Sequence, residues 1–386
     1  MMKDKKFLIY ENGNSYTRKE FDEQSEIIAE QLRQSGYDRT CRIGLLSDYN
    51  NLIKARGIMK VCSVVFFDKN ITEFERSLYG DIDIWEDELP KPRYNQCNPD
   101  EMYGFCSSGS TDKPRIIPWH TYEYETDGLE SNLKKHVTEN DSTWNILPLW
   151  ASIGFQVFNV CYDTGATYHV VNESWSEWVG TEPTFMVGSP AVLTNVVRRT
   201  KDKCKPFRMV WSISGTLSRD IKDEIQKFFQ CNTWDYYGIN EVGGVSMMTS
   251  PQKYESVGTA LPGKTITFDD GEIIVNGFRS GDLGYIDEDG YIFITGRKKD
   301  IINLGGPKVM PFEVEKALLH CGAKECVVFG INTVNALVVG NVDEQKLKQS
   351  LIDYKYPNIL YVDTIPFRNG KINRMKLYEE YKDRLK

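Results

Sequence analysis

The run Ser63-Val64-Val65-Phe66-Phe67 is apolar at every position after its serine, and a strand carries such a run only where both of its faces are covered. A strand with one face in water would show a polar residue at every second place. The run therefore demands helices on both sides of a sheet. Thr17 and Glu20 stand at capping-box spacing, Phe21, Ile28 and Leu32 share one helical face, and Gly36 can end the turn, which predicts a helix from Thr17 to Gly36. A β-type run at Arg42 to Leu46 and a second helical pattern lead into Ser63–Phe67. The same alternation returns at Thr143 to Leu147, Thr184 to Val187 and Arg208 to Ile213, each run followed by a helical pattern. Repeated strand–helix–strand units predict an α/β fold with doubly wound parallel sheets.

From about Glu272 the texture changes to short strands and turns, and the Asp289-Gly290 pair marks a hairpin. A small β subdomain is expected there. After Lys299 a short strand, a helix near Pro311 to Leu319, a strand at Cys326 to Phe329 and a helical tail suit a small α+β domain. At 386 residues the chain exceeds what one core usually serves. The division expected is a large N-terminal domain, 1–298, and a small mobile C-terminal domain, 299–386. No long Pro/Gly tract separates them, so the boundary should be a hinge rather than a tether.

Composition narrows the function. Hydrophobic residues make up 40% and charged residues 26%, an ordinary globular balance, and the net charge of −8 disfavours a nucleic-acid surface. The nine cysteines contain no CxxC pair, as expected of reduced thiols in the cytoplasm, and the four histidines show no HxxxH spacing for a zinc site. Neither a signal-like N-terminus nor a membrane-length apolar run is visible, so a cytoplasmic protein with no membrane partner is expected.

The chemistry concentrates in Phe105-Cys106-Ser107-Ser108-Gly109-Ser110-Thr111-Asp112-Lys113-Pro114-Arg115. Hydroxyls and open backbone N–H groups can wrap a triphosphate, and Lys113 or Arg115 adds positive charge. Gly104 and Gly109 have Walker spacing, but Ser110 stands where that motif needs lysine, which excludes an ordinary P-loop NTPase.

Four further motifs follow in order: Tyr236-Tyr237-Gly238-Ile239-Asn240-Glu241, Ser280-Gly281-Asp282-Leu283-Gly284, Gly296-Arg297-Lys298-Lys299-Asp300 and Asn369-Gly370-Lys371-Ile372-Asn373-Arg374. Over nearly its whole length the chain resembles the adenylate-forming superfamily, which holds acyl-CoA synthetases, adenylation domains of non-ribosomal peptide synthesis and firefly luciferase. The resemblance implies ATP and Mg²⁺ as cofactors and an acyl-adenylate as the intermediate. It implies Glu241 as the Mg²⁺ ligand and Ser107, Ser108, Gly109, Ser110, Thr111 and Lys113 as the triphosphate loop. Tyr237 would stack on adenine, with Tyr236, Asn240, Asp235 and the Ser214-Gly215-Thr216 turn around the base. Asp282 would accept from the ribose hydroxyls, Arg297 would sit between ribose and phosphate, and Lys371 would bridge the substrate carboxylate and the α-phosphate. Two residues depart from the family pattern: Asp112 replaces a glycine and Asn240 a threonine. The region before the phosphate loop is also shorter than the family norm.

In amino-acid-activating relatives an aspartate after the Pro148-Leu149-Trp150 segment pairs with the substrate ammonium. Here the matching position is Ser152, which would leave a buried ammonium uncompensated at a cost of several kcal/mol. A small aryl or acyl acid without an α-amine is expected, in a pocket walled by Trp150, Ser152, Phe155, Gly188, Tyr236, Gly238, Gly243 and Gly244. The resemblance also places a hinge at Lys299 and a thiol tunnel at Gly305 and Gly306, which implies transfer to coenzyme A or to a phosphopantetheinylated carrier protein. Transfer to an amine or hydroxyl, and a catalytically impaired nucleotide- or acyl-binding relative, are the alternatives.

Overall fold

The structure is a computed structural model that describes residues 5–10, 12–80, 82–107, 115–171, 183–199, 206–215, 217, 219–248, 253–366 and 373–384. It forms two compact units, Met1–Gly244 and Val245–Lys386. The division expected at 298/299 falls inside the second unit.

In the first unit, Ser63–Phe67 is buried at all five positions, as its composition demands. It lies between Arg42–Leu46 and Glu101–Ser107, parallel to both, and Arg115–His120 closes the sheet antiparallel to Glu101–Ser107. A second sheet has the order Ser15–Thr17, Lys6–Tyr10, Thr167–Val170, Ser142–Asn145. A third array sets Phe185–Gly188, Met209–Ile213 and Thr233–Ile239 parallel in that order. Ser142–Asn145 therefore belongs to a different sheet from the two strands whose pattern it repeats, since periodicity identifies a strand but not its neighbour.

The first helix runs Arg18–Gln34 with the capping box closed by Thr17 and Glu20 in both directions. Phe21, Ala29 and Leu32 are buried beneath it. Ile28 instead faces the helix Leu52–Met59, where its Cβ comes within 2.5 Å of where a side chain at Gly57 would begin. Only glycine allows that approach.

The helix Ser152–Thr164 is buried continuously from Gly154 to Tyr162 because it is wedged between two sheets. Phe155 meets Phe66 and Tyr103 of the first sheet at ring separations of 4.9 and 5.3 Å. Phe158 meets Phe7 and Tyr168 of the second at 5.9 and 5.3 Å. All but the tilted Phe7–Phe158 pair are edge-to-face, a geometry that adds about 0.5–1.5 kcal/mol per contact beyond area burial.

The second unit contains the antiparallel meander Ile266–Asp269, Glu272–Val275, Phe278–Ile286 and Ile292–Arg297. The Asp289-Gly290 turn is present: Asp287 Oδ1 accepts from the backbone N–H groups of Asp289 and Tyr291, and Gly290 takes φ +84°. Beyond it, Ala323–Phe329, Asn335–Gly340 and Asn358–Tyr361 form a sheet against the helices Pro311–His320 and Arg374–Tyr381. Arg374 donates to Glu315 Oε1 and to the Val328 carbonyl, both at 2.7 Å, and pairs with Asp300 at 3.4 Å. The last helix is thus tied to the turn Lys298–Asp300.

Three strands of the first sheet are stapled by one carboxylate. Glu101, 1% exposed, accepts from Arg42 Nε and Nη2 at 2.7 and 2.6 Å and from Ser63 Oγ at 2.7 Å. Removing the cation would strand a buried charge, so Arg42→Met should destabilise the first unit by about 3–5 kcal/mol. The double variant Arg42→Met/Glu101→Leu should recover most of that loss in urea denaturation. Equal stability of Arg42→Met and wild type would mean that the pair contributes nothing.

Candidate active-site cleft

In open parallel sheets ligands bind beyond the carboxyl ends of the strands, where loops diverge. The cleft in the first unit lies at that place. Ile213 and Ser214 bring the end of Met209–Ile213 to it, and Tyr236, Gly238, Ile239, Asn240 and Gly243 bring the end of Thr233–Ile239 and the turn beyond. Ser152, Ile153 and Gln156 face them from the first turns of the wedged helix, with Trp119 and Leu129 alongside. Ser214 holds φ +66°, a conformation that costs a residue with a side chain about 1 kcal/mol or more and is kept where the surroundings impose it. Gly238 is there because a Cβ would come within 2.9 Å of Tyr236 Cε1 and 3.2 Å of the Gly243 carbonyl, so the Tyr236 ring lies directly over bare backbone.

Next to Asn240, Glu241 is paired with Arg115 at 2.9 Å. Arg115 begins the strand that follows the phosphate loop in sequence, so the pair joins two motifs 126 positions apart. A carboxylate and a guanidinium, both partly exposed beside a cleft, are groups that a metal-bound polyphosphate can separate, each taking the partner of opposite charge.

Asp235 has a structural partner. It accepts from Lys222 of the helix Arg219–Phe229, and the lysine side chain is fully buried. Burial pushes the Asp235 carboxyl up to about 6, while the neighbouring ammonium pulls it down. The base edge expected of Asp235 is thus occupied by an internal ion pair. Tyr237 is buried next to Tyr236, whose ring forms the cleft wall.

The residues expected to wall the pocket divide. Ser152, Tyr236, Gly238 and Gly243 line the cleft. Phe155 does not: it is fully buried in the aromatic wedge and packs the core. Gly188 ends its strand against Leu193, 3.1 Å from where a Cβ would be, and Gly244 is buried within Gly243–Met247. Trp150 is half-buried, its backbone N–H donating to Ser47 Oγ at 3.3 Å, and lies outside the cleft lining. Sequence reasoning missed Trp119, Leu129, Ile153, Gln156 and Ile213. Gln156 was accessible in principle, being four residues after Ser152 and so on the same helical face.

In the second unit, Asp282 and Arg297 are direct cross-strand partners and form an ion pair of 2.7 Å, the acid 5% and the guanidinium 56% exposed. Gly281 at φ +73° turns the chain into that pairing. Lys299 lies in the single turn Lys298–Asp300, and Gly305 and Gly306 sit exposed in the turn between Ile302–Asn303 and Lys308–Val309, with open space around both. Ser108, Gly109, Ser110, Thr111, Asp112, Lys113, Thr216 and Lys371 lie outside the described residues, as does the side chain of Ser107. Among the described residues no group of three or more His, Cys, Asp or Glu is placed to hold a metal alone, and no helix is long and apolar enough to cross a membrane.

A family model described as AMP-binding enzyme matches residues 49–277. The chain belongs to the AMP-binding enzyme family. Among curated relatives of this family member, a probable CoA ligase, CCL9, of Humulus lupulus is 24% identical over 342 residues, 71% of this chain and 65% of that protein. The chain therefore spans less than two thirds of that relative. Among solved structures, the o-succinylbenzoate CoA synthetase MenE of Bacillus subtilis in complex with the acyl-adenylate OSB-AMP superposes with a TM-score of 0.77 at 21% identity, over 96% of this chain and 95% of that one. The same enzyme in complex with ATP and magnesium ion gives 0.76 at 21% identity, over 96% of both chains. The family member shares their adenylate-forming fold, and Glu241, Asn240 and the cleft-lining tyrosine all fall within the matched span.

Behind the cleft lies Glu130, fully buried on the short helix Leu129–Leu133 and accepting from the Tyr103 hydroxyl. Burial pushes its carboxyl up to about 7 from 4.5. A carboxyl raised in the folded state contributes stability that is complete below the unfolded value and is lost as pH climbs through the folded one. Between pH 4.5 and 7 the unfolding free energy of wild type should therefore fall relative to Glu130→Gln, by about 3 kcal/mol in all. Parallel stability profiles of the two proteins across that range would show that Glu130 is not raised.

Proposed function

We propose that the chain uses ATP and Mg²⁺ to convert a small carboxylic acid lacking an α-amine into an acyl-adenylate and then passes the acyl group to a thiol, that of coenzyme A or of a phosphopantetheinylated carrier protein. The observation that carries the proposal is the cleft beyond the parallel strands with Glu241 and Arg115 beside it, in a chain of the AMP-binding enzyme family. No protein nucleophile is needed. The substrate carboxylate attacks the α-phosphorus, the bond to the bridging oxygen breaks, and pyrophosphate leaves with the electron pair, so the protein's work is positioning and charge neutralisation.

Glu241 offers the oxygen donor that a hard cation takes, and Mg²⁺ bound there with the phosphates would supply neutralisation of their charge. Arg115, released from Glu241, would turn to the phosphates beside Lys113 and the loop Ser107–Thr111. Asp282 and Arg297 serve ribose and phosphate, Tyr237 the adenine, and Lys371 the carboxylate and α-phosphate together. Ser152 in the cleft wall brings no negative charge to hold an ammonium. For the second half-reaction the segment 299–386 rotates about Lys299, and the turn holding Gly305 and Gly306 flanks the arm of the thiol. Free cysteines throughout the described residues fit a reducing, cytoplasmic setting.

ATP–pyrophosphate exchange driven by a panel of aryl, short-chain and fatty acids tests adenylation without knowledge of the acceptor. Exchange with one class of acid and none with the matching α-amino acids is expected; robust exchange with a free α-amino acid would overturn the reading of Ser152. Lys371→Ala should lower the exchange rate by orders of magnitude with nucleotide affinity nearly intact, because its charge acts mainly in the transition state. Wild-type exchange in the folded variant would remove Lys371 from the mechanism.

Lys299→Pro separates the two half-reactions, since proline fixes φ near −65° and restricts the hinge to one pose. Pyrophosphate exchange should survive while thiol-dependent release of AMP falls steeply. Retention of both activities would place the hinge elsewhere.

A further inference from the structure

Twelve of the described residues line the cleft, and none of them is Asp, Glu, Lys, Arg or His. The lining is polar without being charged: it holds the amides of Gln156 and Asn240 and the hydroxyls of Ser152 and Ser214. It also grades from exposure to burial. Ser214 and Asn240 are exposed, whereas Trp119, Leu129, Gln156, Ile213 and Tyr236 are buried. A charged group carried in among the buried five would lose its water and meet no opposite charge, a penalty that neutral amides and hydroxyls offset only in part. The charged pair next to the cleft, Glu241 with Arg115 at 2.9 Å, serves Mg²⁺ and the phosphates in the proposed reaction.

The protein's own Glu130 shows what these surroundings do to a carboxylate. It follows Leu129 of the lining, is fully buried, and accepts from the Tyr103 hydroxyl. Burial nonetheless pushes its carboxyl up to about 7. One neutral donor does not make up for lost water there, and a second acid brought close would add repulsion to the same penalty.

We propose that the acid activated in this cleft carries one charge only, its reacting carboxylate, so that a second carboxylate or a distal ammonium on its carbon skeleton bars it from the site. The proposal rests on the adenylation reading and narrows its substrate class to acids whose acyl portion is uncharged. Gln156 and its neutral neighbours can still pair with a hydroxyl, carbonyl or carboxamide on that portion.

The test is pyrophosphate exchange with probes matched in size. Terephthalate is set against its monoamide and adipate against its monoamide, since a carboxamide has nearly the shape of a carboxylate and differs by the charge. Para-aminomethylbenzoate and ε-aminohexanoate supply the opposite sign, with benzoate and hexanoate as plain references. Wild type should favour each monoamide over its diacid, and over the ammonium-bearing acid, by about a hundredfold or more in kcat/KM. Gln156→Arg and Ser152→Arg each bring a guanidinium to the lining and should raise the diacid-to-monoamide ratio about tenfold or more, with the ammonium-bearing acids still rejected. Should Gln156→Arg fail to fold, Ser152→Arg, half-buried at the start of the helix, carries the same readout.

Similar use of diacid and monoamide by wild type, efficient use of an ammonium-bearing acid, or an unchanged ratio in the folded arginine variants overturns the proposal and leaves adenylation in place. Exchange with benzoate or hexanoate but with neither member of a pair would make size the selecting property, which overturns it equally. Exchange with no acid of the set overturns the adenylation reading itself, and this inference with it.

Discussion

The helix Ser152–Thr164 is the element on which the first unit turns, because it is buried on every side between two sheets. Such a helix cannot shift without repacking both neighbours, since interiors are close-packed and transmit strain. Its middle supplies the core through Phe155 and Phe158, and its first turns supply the cleft through Ser152, Ile153 and Gln156. Core and cleft wall are therefore one rigid object, which suits the catalysis by positioning proposed for it. A binding wall built on a loop would have to be ordered by its ligand at a cost in affinity.

Charge is handled differently in the interior and at the cleft. Inside, each carboxylate has an assigned partner: Glu101 with Arg42 and Ser63, Asp235 with Lys222, Glu130 with Tyr103. These groups fix strand against strand or side chain against side chain. Near the cleft, Glu241 and Arg115 hold each other in a pair that remains partly exposed, whereas in the second unit a buried Asp282 holds the exposed guanidinium of Arg297. Exposed pairs contribute little to stability, on the order of 0–1 kcal/mol. Glu241 and Arg115 can therefore exchange partners at small cost, which suits the role proposed for them toward a polyphosphate.

The sequence made the architecture readable wherever a local pattern had one solution. Ser63–Phe67 could only be a doubly covered strand, Thr17 with Glu20 could only begin a helix, and Asp289-Gly290 could only turn. Residues whose role depends on tertiary neighbours were not readable in this way. Phe155 and Gln156 are adjacent on one helix, and their types suggest the aromatic as pocket wall and the amide as bystander. The packing of Phe66 and Tyr103 reverses those assignments. Trp119 and Leu129 reach the cleft through strand order and a short helix, neither of which leaves a spacing signal. The compact units divide at 244/245 because contact density follows the cores, while the expected division at 298/299 follows a motif.

The central claim is that an acid oxygen is transferred to the α-phosphorus of ATP. The most direct measurement supplies an accepted acid with both carboxylate oxygens labelled as oxygen-18, together with ATP, Mg²⁺ and coenzyme A, and determines the label in the nucleotide product by mass spectrometry. AMP carrying one labelled oxygen, formed with unlabelled pyrophosphate, is the predicted result. Unlabelled AMP, or ADP with the label in inorganic phosphate, would contradict it.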